Sequence, residues 1–147
     1  MAAPSSLVRP ALAAASLFLL SAASDPAFLD VSVAGQRSDR GMMRACLTRD
    51  PAHFPDCAGD PAAVSASFSA QQTSFRLGPV AHGTWALSLF HDENGNGKLD
   101  TVLGVPKEGY AFSRNPPLTF GPPKFERVGI VVDQDRVSTA VRLRYLL

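Results

Sequence analysis

Apolar and polar residues alternate along seven short stretches of the chain. Such alternation turns apolar side chains to one face of an extended segment and polar side chains to the other, which predicts half-buried β-strands. The predicted strands cover residues 29–33, 43–47, 64–68, 75–77, 84–91, 128–132 and 137–145. The segment 101–124 is rich in proline and glycine and is predicted to be irregular. The pattern predicts an all-β domain, an antiparallel β-sandwich of about seven strands with immunoglobulin-like or transthyretin-like topology.

The first residues of the chain have the pattern of an export signal. Arg9 is the only charge before Asp25, residues 11–20 are apolar, and small residues follow up to Ala23. This predicts a signal peptide over residues 1–24, cleaved near Ala23/Ser24, and a single β-sandwich domain over residues 25–147. The apolar core is about half the ~20 residues that a membrane-spanning helix needs. The mature protein is therefore predicted to be periplasmic or secreted without a transmembrane segment, and an uncleaved anchoring helix is the alternative.

Charge and cysteine content narrow the classes of partner. The sequence has 14 Lys and Arg against 13 Asp and Glu, and loss of Arg9 with the signal peptide leaves 13 of each. A net charge near zero, without basic runs, argues against nucleic-acid binding and gives no electrostatic footprint for an anionic membrane. Two cysteines in an exported chain, Cys46 and Cys57, predict a structural disulfide. A redox or zinc pair is the alternative, but the spacing is too wide for Cys-x-x-Cys and no histidine pattern completes a zinc site.

The fifth predicted strand leads into a loop rich in aspartate, asparagine and glycine. A hard cation such as Ca²⁺ takes several oxygen ligands from one tight turn, and the loop offers them at regular spacing. The predicted ligands are Asp92, Asn94, Asn96, Lys98 through its carbonyl oxygen, and Asp100, with Glu108 as an outer ligand. An EF-hand is excluded because Leu103 stands at the twelfth loop position, where a bidentate glutamate is required. The alternative is a pair of Asn-Gly turns without an ion.

The irregular segment carries aromatic and basic residues that suit a recognition surface. The residues of this predicted binding surface are His91, Tyr110, Phe112, Arg114, Asn115, Phe120 and Phe125. The alternative is a long loop that packs its aromatic side chains over the edge of the sandwich. No serine has the surroundings of a nucleophile elbow, and no catalytic residue is predicted. A small hydrolase or isomerase that uses His91, Asp92 and Arg114 remains the enzymatic alternative.

Four motifs in this part of the chain together resemble a bacterial family. They are FHDENGNGKLD at 90–100, GVPKEGY at 104–110, FSRN at 112–115 and FGPPKF at 120–125. The combination resembles the bacterial domain-of-unknown-function family 2141, from about Leu29 to Tyr145. Trp85 and Ala111 depart from it, since the family pattern has tyrosine and glycine there. The resemblance implies a small exported protein of Gram-negative bacteria that has no assigned activity.

The loop alone is also similar to repeat modules of Gram-positive surface adhesins, whose Asp-x-Asn-x-Asn-Gly loops hold calcium. This looser resemblance implies an ion at Asp92, Asn94, Asn96 and Asp100. The first functional hypothesis is therefore an exported, non-enzymatic β-sandwich in which calcium rigidifies a neighbouring binding surface for an unknown protein or small ligand. The alternative is a metal-free protein-binding module of the cell envelope.

Overall fold

Ten strands form most of the regular structure in the computed structural model, which describes residues 25–117 and 120–147. The predicted signal peptide, residues 1–24, lies outside the described residues. The strands are β1 (Ala27–Ala34), β2 (Met42–Thr48), β3 (Val64–Ser69), β4 (Ser74–Val80), β5 (Gly83–Asp92), β6 (Thr101–Val102), β7 (Val105–Pro106), β8 (Tyr110–Phe112), β9 (Ile130–Val132) and β10 (Arg136–Arg142). A 3₁₀ turn spans Pro51–His53, and the short helix α1 spans Phe125–Val128. The predicted all-β class is confirmed.

The strands form two main sheets and one small hairpin. The first sheet has the order β10-β1-β4, and the second has the order β3-β2-β5-β8, with β9 also paired to β5. Strands β6 and β7 pair with each other. Among the described residues, all strand pairs are antiparallel except β1 and β10, which run parallel from Phe28↔Arg136 to Ala34↔Arg142. The first strand therefore pairs with the fourth and the last, which differs from the immunoglobulin order, where the first two strands are neighbours.

The core lies between the two main sheets and follows from the alternation in the sequence. Leu29, Val31 and Val33 of β1 are buried against Met43 and Leu47 of β2 in one apolar cluster. The rings of Phe68 on β3 and Phe75 on β4 stack with centroids 4.0 Å apart, and this contact closes one side of the sandwich. Within the described residues, no helix is both long and apolar enough to span a membrane.

The predicted disulfide between Cys46 and Cys57 is confirmed, with a Cα–Cα distance of 5.7 Å. Cys46 alternates with the core residues Ala45 and Leu47, so it lies on the outer face of the second sheet. The bond fastens the loop 49–63 to that face. A cross-link over a loop of this length stabilises the fold by about 2–3 kcal/mol in the chain-entropy model.

Several predictions need correction. The predicted seventh strand, residues 137–145, ends too late, because β10 ends at Arg142. The predicted sixth strand, residues 128–132, starts too early, because Val128 ends helix α1 and the strand begins only at Ile130. The segment 101–124 was predicted to be irregular, yet it contains β6, β7 and β8. These strands are two or three residues long, too short to produce a readable alternation. The single parallel pair also departs from a purely antiparallel sandwich.

Candidate functional site

The candidate site begins where β5 leads into the Asp/Asn/Gly loop, residues 92–100. The side chain of Asp92 is fully buried. Its carboxylate accepts hydrogen bonds from Arg44 Nε at 2.8 Å, Gly97 N at 2.9 Å and Asn96 N at 3.0 Å. Burial opposes ionisation, but the bonds from Arg44 and the backbone outweigh it, so the pKa of Asp92 lies below its ordinary value. Asp92 thus fixes the first turn of the loop onto β2.

The second half of the loop folds around Asp100. The side-chain amides of Asn94 and Asn96 donate to the two carboxylate oxygens of Asp100 at 2.7 and 2.9 Å. Their own carbonyl oxygens accept from backbone groups, Asn94 from Asn96 N at 3.1 Å and Asn96 from Lys98 N at 2.8 Å. The loop is therefore closed by hydrogen bonds among its own residues.

Glu108 holds the two ends of the loop together. It is 3% exposed, and its two carboxylate oxygens accept from Glu93 N at 2.9 Å and Asp100 N at 3.0 Å. Glu93 in turn pairs with Arg37 and accepts a hydrogen bond from Ser38 at 2.9 Å. The hydrogen bond from Arg37 is the main reason why the pKa of Glu93 is lowered. Both ends of the loop are thereby tied to the body of the protein.

The predicted calcium ligands thus converge in part. Asn94, Asn96 and Asp100 meet, whereas Asp92 is engaged by Arg44 and the backbone, and Glu108 is engaged by backbone N–H groups. No cluster of three or more His, Cys, Asp or Glu side chains suited to a metal ion occurs in residues 25–117 and 120–147. Calcium binding at this loop remains a prediction.

His91 lies inside the fold and not at a surface. Its side chain is fully buried, with Nε2 2.7 Å from the carbonyl oxygen of Arg40 and Nδ1 2.7 Å from the hydroxyl of Tyr145. A carbonyl oxygen only accepts, so Nε2 carries a proton and donates it. Arg37 stacks on the ring of Tyr145 at 4.4 Å and its backbone N–H donates to the hydroxyl. This network joins the end of β5 to the segment after β10.

An apolar cleft of about 290 Å³ opens beside β8. Three members of the predicted binding surface line it, namely Tyr110, Phe112 and Phe120. The remaining lining residues come from four separate segments: Pro55, Leu99, Thr101, Gly104, Val105, Pro106, Gly121, Pro122 and Leu146. Burial raises the pKa of Tyr110. Aromatic and aliphatic groups with few polar atoms make up walls of the kind that hold small ligands.

The other members of the predicted surface lie outside this lining. Phe125 packs edge-on against Phe54 at 6.2 Å, and Phe54 in turn contacts Phe112 at 5.7 Å. The side chain of Asn115 accepts from Arg142 N at 2.8 Å and donates to the carbonyl oxygen of Ala140 at 2.9 Å, so it covers the edge of β10. Arg114 is exposed in the turn before it. His91, Asp92 and Arg114 each have separate surroundings, and the enzymatic alternative stays a prediction.

The family of the chain follows from a match to a family model. The model of an uncharacterized protein family conserved in bacteria, DUF2141, matches residues 31–140. The chain belongs to this family. The match covers most of the chain and confirms the resemblance drawn from the four motifs. No curated protein and no solved structure matches the chain.

Several residues of the site are absent from the sequence-based predictions for this DUF2141 chain. Arg44 is the ionic partner of Asp92, although 48 residues separate them. Arg37 contacts Glu93, Lys107, Tyr145 and the terminal Leu147. Ser113, part of the FSRN motif, is fully buried and its hydroxyl donates to the carbonyl oxygen of Val128 at 2.6 Å. Such long-range pairs leave no local pattern in the sequence.

Proposed function

We propose that this protein is an exported, non-catalytic binding module that holds an apolar ligand in the cleft beside β8. The observation that carries the proposal is the meeting of Tyr110, Phe112 and Phe120 around one apolar cavity. Export is supported by the disulfide, since such bonds persist in oxidising compartments. In this proposal the Asp/Asn/Gly loop is the support that keeps one wall of the cleft in place.

The support follows from how the hairpin β6–β7 is attached. The hairpin provides Thr101, Val105 and Pro106 to the cleft. Its two ends are joined where Lys107 N donates to the carbonyl oxygen of Asp100 at 2.8 Å. Asp100 is in turn held by Glu108 and by the asparagines of the loop. The hydrogen bonds that hold Asp100 in place therefore also hold the base of the hairpin.

Binding of the neutral apolar dye N-phenyl-1-naphthylamine tests the proposal. The dye is excited outside the tryptophan band, and its fluorescence should increase when the wild-type protein is added. Thr101→Trp places a large ring in the cleft and should weaken dye binding at least tenfold. Thr84→Trp is the matched control, because Thr84 is exposed at the opposite end of β5. Equal weakening by both variants, or no binding by the wild type, would refute the cleft as the site.

A second function is favoured by the convergence of Asn94, Asn96 and Asp100, namely calcium binding within the loop. Rotation of the two amide groups would turn their oxygens toward the Asp100 carboxylate and gather four oxygens. Oxygen ligands of this kind suit Ca²⁺. The energetic cost is the loss of four hydrogen bonds, namely the two that the amide groups now donate to Asp100 and the two that their oxygens accept from backbone N–H groups. With so few carboxylates, the expected dissociation constant is on the order of 10⁻⁴–10⁻³ M.

Thermal unfolding with and without calcium tests this second function. A calcium concentration of ten to a hundred times the dissociation constant should stabilise the wild type by about 1–3 kcal/mol. Asp100→Asn should abolish that gain, whereas Asp133→Asn, an exposed residue in the turn between β9 and β10, should keep it. Identical melting curves for the wild type in calcium and in chelator would rule out the ion.

A further inference from the structure

Exposed apolar side chains gather around the cleft. The described residues contain seven large apolar side chains that are exposed, and five of them belong to the cleft or its hairpin: Leu99, Val102, Leu103, Phe120 and Leu146. Leu103 and Phe120 are 99% and 104% exposed. Isolated exposed apolar residues are common, but a group at one place marks a contact surface.

The tip of the hairpin β6–β7 strengthens this point. Leu103 and Gly104 occupy the two central positions of the turn, with φ of +50° and +79°. A turn with two positive φ values favours Asn-Gly, because a left-handed leucine costs roughly 1–2 kcal/mol. Neither local conformation nor burial among residues 25–117 and 120–147 explains a leucine here. A contact with another molecule would explain it.

Positively charged residues surround the same surface, which favours contact with a negatively charged partner. Lys98, Lys107 and Lys124 are exposed, and each stands within two residues of the cleft lining. None of the three forms an ion pair with a described residue. The negative charge of the exposed Glu126, two residues after Lys124, is offset by the positive charge of Arg127, which follows it directly.

The acidic groups in and beside the loop, by contrast, are engaged by neighbouring groups, and Glu93 pairs with Arg37. Asp92 and Glu108 are buried, and the carboxylate of Asp100 faces the amides of Asn94 and Asn96. Asp56, next to the lining residue Pro55, is the exposed carboxylate that stands as close to the lining, so three lysines against one aspartate leave the exposed rim of the cleft positive. The near-zero charge of the whole chain conceals this local excess.

We propose that Leu103 and Phe120 insert into the surface of an anionic lipid bilayer, so that the cleft receives an acyl chain. This inference rests on the proposed function, because it uses the same cleft. Peripheral proteins bury apolar groups about 5–10 Å into the headgroup region, and each nearby lysine adds about 1 kcal/mol on an anionic surface. A hairpin tip with lysines around it has both features.

Flotation with lipid vesicles tests the inference on the mature chain. One set of vesicles contains phosphatidylcholine alone, and the other contains about one third phosphatidylglycerol, an anionic lipid. The wild type should bind the anionic vesicles at least tenfold more strongly, and high salt should release it. Leu103→Asn should weaken binding at least tenfold, because one inserting apolar side chain is lost. It should not lower stability, because asparagine suits the left-handed turn better.

Val131→Asn is the matched control. Val131 is 62% exposed and pairs with Thr84, eight residues before Asp92 on β5. That separation is about 26 Å along the strand. The control variant should bind vesicles like the wild type. Equal losses for both variants would overturn the inference, because general surface hydrophobicity would then explain the binding.

The dye measurement separates this inference from the proposed function. Leu103 does not line the cleft, so Leu103→Asn should still bind N-phenyl-1-naphthylamine. If the wild type binds the dye and ignores both kinds of vesicle, the lipid inference fails and the cleft stands. A soluble apolar ligand or a protein partner would then be the occupant. If the wild type binds neither, both proposals fail.

Discussion

The carboxylate of Glu108 bridges both ends of the Asp/Asn/Gly loop, and its replacement should be costly. It accepts from Glu93 N at 2.9 Å and from Asp100 N at 3.0 Å while only 3% exposed. In Glu108→Gln one oxygen remains as an acceptor, and the new NH₂ group faces the other backbone N–H. The unsatisfied donor costs about 1–3 kcal/mol, and the loss of charge weakens the remaining bond by about 1 kcal/mol. The expected destabilisation is about 2–4 kcal/mol.

Urea unfolding followed by the fluorescence of Trp85 measures this change. Trp85 is the only tryptophan of the chain and is 2% exposed, so its emission reports loss of the core. In a thermal unfolding scan of the same variant, the melting temperature should fall by about 8–16 °C for a domain of this size. Glu126→Gln is the control, because Glu126 is exposed on α1 and should change stability by less than about 0.5 kcal/mol. A similarly small change for Glu108→Gln would show that the bridge does not hold the loop.

Three further predictions use the same unfolding measurement. Replacing Cys46 and Cys57 together by serine should lower the unfolding free energy by about 2–3 kcal/mol, and an unchanged value would contradict the cross-link. Gly109→Ala should destabilise by about 1–3 kcal/mol, because its Cβ would lie 2.4 Å from the ring of Tyr145; a neutral result would refute that close packing. The stability that Asp92 contributes is complete above its unfolded pKa of about 3.9 and should be lost as pH falls through the lower folded pKa. Asp92→Asn should remove that part of the acid dependence, and an unaltered acid limb would refute the assignment.

Local sequence patterns predicted most of the strands because each of these strands buries one face. Leu29, Val31 and Val33 alternate with solvent-facing residues, and the same holds for Phe75 and Leu77 on β4. Alternation reports which face of a strand is buried, but not which strand lies beside it. The parallel pairing of β1 with β10 joins residues more than a hundred positions apart, and no local signal encodes it.

The candidate site was predictable in the same limited sense. The loop, Glu108 and the aromatic residues of the cleft have side chains whose chemistry is visible in the sequence. Their arrangement depends on partner residues that no sequence pattern distinguishes. Arg44 reads as an exposed strand residue, yet it forms the ion pair that holds Asp92. His91 was predicted on the binding surface, but the register of β5 turns it inward toward Tyr145.

One side chain, Arg37, joins two walls of the cleft. Arg37 donates to the carbonyl oxygens of Lys107, directly after the hairpin wall, and of Leu147, directly after the rim residue Leu146. The same guanidinium pairs with Glu93 at the start of the loop. Opening the cleft would therefore break hydrogen bonds to a charged group, although solvent screens them because the Arg37 side chain is 39% exposed. A site fixed in this way loses little conformational entropy on binding, which favours a preformed pocket over one induced by its ligand.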